Sequence, residues 1–137
     1  MFSPTHISRR WGNFQVIELI KLVNDKLNTV GRAHLEEAPQ NEPFPYITFR
    51  FMPSIEDFER EIFPLEVNVW GNDPDTTDLE EMSDRIDHLL HRFKYYEKNV
   101  LQTSMYRVNR DMVPDPDPGI RRRMLLFHCK TYIKRSE

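Results

Sequence analysis

A chain of 137 residues, 39% hydrophobic and 30% charged, has the size of a single domain over residues 1–137 with a modest core. Its net charge of −3 excludes a general electrostatic drive toward nucleic acid, and a lone cysteine, Cys129, excludes an intrachain disulfide. No apolar run approaches the length of a membrane span, and the first residues lack the apolar region of a signal peptide, so the composition fits a reducing cytoplasm and no membrane partner.

Residues 1–8 form a short lead-in with Pro4. From Trp11 to Val30 the apolar residues recur at helical spacing. Val16, Leu19, Ile20, Val23 and Leu27 make one face, and Trp11, Phe14 and Leu22 widen it. A face this broad predicts a helix packed on more than one neighbour, ended by Asn28 and Gly31. The polar stretch 33–43 reads as a short strand or turn followed by a loop. FPYITFRFM (44–52) is a strand, with Ile47, Phe49 and Phe51 on one face and Pro45 marking an edge or a strand start.

SIEDFERE (54–61) reads as a long acidic connection. Phe58 within it is either an anchor onto the sheet or a contact for a partner. In IFPLEVNVW (62–70), Leu65, Val67 and Val69 alternate with Glu66, Asn68 and Trp70, the period of a sheet with one buried face. After a polar turn, Leu79, Met82, Ile86, Leu89, Leu90 and Phe93 draw a helical stripe. Thr77 with Glu80 has capping-box spacing at the helix start. A strand follows over 100–108, then a stiff loop around PDPDPG, where alternate prolines forbid helix and ladder alike. The last strand, RRRMLLFHCKTYIKR, has apolar residues on both faces near its start. These elements predict an α+β fold: a mainly antiparallel sheet of four to five strands flanked by two helices.

Chemistry-bearing patterns are sparse. His88 and His91 with Asp84 have a spacing that can bind a metal, but they stand among charged residues off the apolar stripe, and HEXXH is absent. His34 with Glu36 and Glu37 is isolated. Asp115 and Asp117 lack the glycine and terminal glutamate of an EF-hand. There is no phosphate-cradling glycine motif and no nucleophile elbow. His128 and Cys129 are adjacent in a strand and so point to opposite faces. The residues predict no catalytic, metal or cofactor site. Arg121, Arg122 and Arg123 are the one basic cluster, a salt-bridged strand start or a contact to phosphates or an acidic protein surface. Phe58, Arg121 and Arg123 are the candidate protein contacts.

FPYITFRF, then LEVNVWG with its polar turn, then the helix DLEEMSDRIDHLLHRF, with an apolar helix before them and a strand pair after, resemble the tail-terminator or tail-completion proteins of long-tailed bacteriophages. The resemblance covers roughly residues 10–134 and rests on structural motifs. It implies a homo-oligomeric ring, commonly a hexamer, that caps the tail tube and joins it to the head connector or stopper. DNA would pass through without specific binding, and no catalytic residue is implied. The location implied is the virion, assembled in the bacterial host cytoplasm. Two alternatives remain: another phage neck or minor capsid protein, and a small nucleic-acid-binding or enzymatic α+β domain.

Overall fold

The computed structural model describes residues 11–57 and 60–132. Its longest strand, β4 (Arg60–Gly71), is built on the alternation seen in the sequence: Leu65, Val67 and Val69 are fully buried on one face. Along one edge β4 pairs antiparallel with β7 (Arg121–Tyr132) over its whole length, from Arg60 opposite Tyr132 to Gly71 opposite Arg121. Along its other edge lie β2 (Tyr46–Phe51), opposite 65–70, and β3 (Ile55–Asp57), opposite 60–62. Pro64 sits between those two segments. Its carbonyl accepts from the Met52 amide (2.9 Å), so its missing N–H lies on that same side, where β2 departs. A proline is therefore accommodated in a central strand without removing a bond from the β4–β7 ladder.

Beyond β7 come β6 (Leu101–Met112) and the edge strand β5 (Lys94–Glu97); beyond β2 comes the edge strand β1 (Ala33–Leu35). The order is β1-β2-β4-β7-β6-β5, with β3 beside β4. The expectation of a mainly antiparallel sheet of four to five strands is thus corrected to a mixed sheet of seven among the described residues. β1 runs parallel to β2, with Ala33 opposite Ile47 and Leu35 opposite Phe49. Two short strands, β3 and β5, lie outside that expectation, and a third, β1, stands in it only as a short strand or turn. β1, β3 and β5 are each three or four residues long and carry no full period of alternation. Pairing against a formed neighbour selects them rather than their own pattern. The connection expected over 54–61 thus carries a short strand of its own, with Ile55 opposite Ile62 and Asp57 opposite Arg60; Phe58 lies outside the described residues.

Both helices pack against the sheet. α1 (Trp11–Leu27) buries Leu19, Val23 and Leu27, and Val16, Ile20 and Leu22 pack around that seam. It touches β1 near one edge and β6 near the other, which agrees with the breadth of its apolar face. The side chains of Trp11 and Phe14 lie outside the described set. Asn28 closes the helix: its side-chain amide donates to the Asn24 carbonyl (2.8 Å) and its Oδ1 accepts from the Ala33 amide (3.1 Å). At Gly31 a Cβ would meet Met82 Cε at 3.0 Å, so a glycine lets this turn lie close to the second helix.

α2 (Thr77–Leu90) buries Leu79, Met82, Ile86 and Leu90 over β4, β6 and β7. The capping box is not formed. Thr77 is itself helical, and Asp75 Oδ1 accepts from both the Thr77 amide (3.0 Å) and the Thr77 hydroxyl (2.7 Å). Asp75 lies outside the helix where its side chain reaches the first free amide, and the bonds from the Thr77 hydroxyl and amide hold its carboxyl below its usual pKa. Glu80 is thereby released for another task. The helix ends at His91, and Arg92 turns the chain with φ of 69°, donating its amide to the Met105 carbonyl (2.7 Å).

The core is one cluster between helices and sheet. Phe49, Leu65, Phe127, Met105 and Leu125 lie at its centre, and the Thr103 and Thr131 hydroxyls satisfy each other at 3.0 Å. Cys129 is buried there, and burial pushes its thiol pKa up, so it packs as a small apolar side chain. Phe127→Ala is expected to destabilise the protein by about 3–5 kcal/mol, whereas Ile17→Ala, at a half-exposed site on α1, should stay within about 0.5 kcal/mol. Urea denaturation midpoints of the two variants measure the contrast.

Candidate interaction surfaces

Helices cover one face of the sheet, and an ionic lattice fastens α2 to that face. Glu80, Asp84 and Asp87 fall at positions i, i+4 and i+7, one stripe of the helix. Facing them, Arg123 donates to Glu80 (2.6 Å), Arg110 reaches Glu80 (3.3 Å) and Asp84 (2.8 Å), and Arg107 reaches Asp87 (3.4 Å). Simple alternation would put Arg107 and Arg110 on opposite faces of β6. A bulge between Arg107 and Asn109 shifts the register, so that Arg107 opposes Phe127 and Arg110 opposes Leu125. Both arginines then face α2.

On the opposite face, where no helix of the described residues lies, a second polar cluster spans β2, β4 and β7. Glu66 accepts from Arg50 (3.1 Å), Asn68 (2.8 Å) and Arg122 (3.3 Å), and Arg122 Nε donates to Asn68 Oδ1 (2.8 Å). The Arg122 guanidinium lies 5.0 Å from the centre of the Trp70 ring, and Trp70 Nε1 donates to Thr48 Oγ1 (3.0 Å). Tyr46 stacks on Trp70 and Phe44 leans on Tyr46. This aromatic row, with residues 36–42, lines a hollow of about 450 Å³. Burial acts most strongly on the Glu66 carboxyl and raises its pKa. The hydrogen bond from Asn68 and the charges of Arg50 and Arg122 together outweigh it, leaving the pKa below the ordinary 4.5.

The arginines singled out in the sequence divide among these tasks. Arg123 is buried under α2 on Glu80, Arg122 lies across Trp70 on the open face, and Arg121 donates to the Pro118 carbonyl (2.6 Å) and clasps the 113–120 loop. The salt-bridged strand start anticipated from RRR is what Arg122 and Arg123 form. Asp84 pairs with Arg110, and His91 Nδ1 accepts from the Arg107 amide (3.0 Å), so neither points with His88 toward a shared centre. His34 meets Glu42 at 2.8 Å rather than Glu36 or Glu37, and that contact, helped by Arg32, lowers the Glu42 pKa. Among the described residues no group of three or more His, Cys, Asp or Glu is placed to hold a metal ion. No described helix is long and apolar enough to cross a membrane.

The edges complete the surface. Each outer strand carries an exposed apolar side chain: Leu35 on β1, Ile55 on β3 and Tyr96 on β5. Val108, at the bulge, and Met112, where β6 ends, add two more. Open edges with apolar side chains are templates for association and are costly to leave uncovered.

No protein-family profile and no curated protein sequence matches the chain. Solved structures do. A chain of the virion of a native gene transfer agent particle superposes with a TM-score of 0.59 at 9% identity, over 81% of this chain and 84% of that one. A second solved chain of similar extent gives a TM-score of 0.53 at 11% identity, covering 85% and 89%. At such identities the likeness is one of fold.

Two expectations follow from the polar clusters. Glu80→Ala strips a buried arginine of its partner and should cost about 2–3 kcal/mol, while Asp84→Ala, at an exposed position, should cost less than about 1 kcal/mol; chemical denaturation at neutral pH ranks them. Glu66 has a lowered pKa in the folded state, so its contribution is full above about pH 4.5 and is lost as pH falls through the folded value. The stability gap between the wild type and Glu66→Gln should therefore be flat near neutrality, at about 1–2 kcal/mol, and close as the pH drops below 4.5. Urea titrations repeated from pH 7 to pH 3 read it.

Proposed function

We propose that this protein is a structural component of a phage-like virion. Its place is the head–tail junction, where copies form a ring, hexameric in the resemblance drawn from the sequence, that caps the tail tube and joins it to the head connector. The observation that carries the reading is the fold shared with a gene transfer agent virion chain over four-fifths of the length. The surface supports it. Three short strands each present an exposed apolar side chain, and among the described residues the polar clusters tie elements of the fold to one another. A net charge of −3 suits a ring that DNA traverses without being gripped.

Light scattering over a concentration series, with and without tail-tube protein, tests the association. Homo-oligomers at high concentration and co-migration with tubes are expected; a strict monomer that ignores tubes would overturn the proposal. Particles assembled without the protein should show tails of uncontrolled length, unattached to filled heads, in electron micrographs.

A further inference from the structure

At one end of the open face, Arg60, Lys94, Ser104, Tyr106, Lys130 and Tyr132 line a hollow of about 270 Å³. Register puts them there. Lys94 lies opposite Ser104 and Ser104 opposite Lys130, so two lysines flank a serine in one row across β5, β6 and β7. The Lys130 ammonium sits 5.3 Å from the centre of the Tyr106 ring, and among the described residues neither Lys94 nor Lys130 has a carboxylate partner. Two like charges held in one row favour an anion between them.

The far end of β7 carries the complement. In the 113–120 loop, Asp115 Oδ1 accepts from the Asp117 amide and Asp117 Oδ1 from the Gly119 amide, both at 2.9 Å. Pro114, Pro116 and Pro118 restrict the backbone, and Arg121 holds the Pro118 carbonyl. The tip is therefore preorganised, with one oxygen of each carboxylate used locally and the other left over. From Arg121 to Lys130 the strand covers about 30 Å, so tip and hollow cannot meet within one copy. They can meet between two.

Resting on the ring reading above, we infer that the hollow of Lys94, Ser104 and Lys130 receives the Asp115–Asp117 tip of a second copy of this chain. Each copy offers one tip and one hollow, a head-to-tail contact that closes into a ring when the rotation permits. A polynucleotide fits less well: it needs a stripe of cations along its backbone, whereas this is one small site on a chain of net charge −3.

The test is charge exchange on the full chain, read by sedimentation velocity. Lys94→Glu with Lys130→Glu, and separately Asp115→Lys with Asp117→Lys, should each weaken self-association about tenfold or more, and the chain carrying all four changes should regain it. Unchanged thermal midpoints by circular dichroism show that the variants fold. Self-association that ignores the reversals, or a four-change chain that fails to recover, overturns the inference while leaving the ring reading standing. A wild type that stays monomeric at every concentration sinks both. Loss of binding to a labelled DNA oligonucleotide in the lysine variant, with self-association intact, would make the hollow a nucleic-acid site instead.

Discussion

The twelve-residue ladder between β4 and β7 is the constraint on which the other elements depend. It joins strands from the two halves of the sequence, and each of them carries the next layer of the sheet: β2 and β3 on the outer side of β4, β6 on the outer side of β7. Its inner face supplies Leu65, Val67, Val69, Leu125, Phe127 and Cys129 to the core. Such a long-range pairing must close a large loop before it returns any burial, so the apolar face has to be continuous along both strands. Within it Arg123, opposite Val69, brings a charge to the core boundary, and Thr131 brings a hydroxyl that is paired with Thr103.

That charge is tolerated because α2 answers it. A buried guanidinium without a partner would cost several kcal/mol, and Glu80 removes most of that cost by standing directly over it. Glu80 can do so because Asp75 has taken over the Thr77 amide at the helix start. The bulge in β6 then adds Arg107 and Arg110 to the same face, so that the acidic stripe of α2 meets three arginines from two strands. One local exchange at a helix terminus and one extra residue in a strand together orient the helix on the sheet. Burial of Leu79, Met82, Ile86 and Leu90 supplies the bulk of the attraction; the ions set the register.

The same features show what a sequence can and cannot reveal. β4, β7 and both helices were legible because each contains several full periods of apolar spacing. β3 and β5 were not, and β1 was legible only as a short strand or turn, because three or four residues hold no period and their pairing partner lies elsewhere in the chain. The capping assignment failed on a competition between two acceptors: Asp75 and Thr77 are both good N-terminal residues, and only the backbone path decides which one faces the free amides. The α2 lattice was half legible. Glu80, Asp84 and Asp87 form a visible stripe, but the bulge that turns Arg110 toward them leaves no mark in the alternation of β6. The arginine cluster was placed correctly at a strand start, while the division of Arg122 and Arg123 between opposite faces follows from period two alone.

What remains after the fold is satisfied is an asymmetric object. One face of the sheet is closed by helices, and the other carries Trp70, Tyr46 and a network centred on Glu66. Charged pairs on the closed face are committed to α2, and those on the open face are committed across strands. Among the described residues, what is left over is one buried oxygen, Asp87 Oδ1, and, at the surface, strand edges with Leu35, Ile55 and Tyr96 and a lysine row about 30 Å from a stiff acidic tip. Edges and separated opposite charges are both relieved by neighbours of macromolecular size, and neither is relieved by folding one copy more tightly. The ladder that holds the fold together is thus also what keeps the lysine row and the acidic tip at opposite ends of β7.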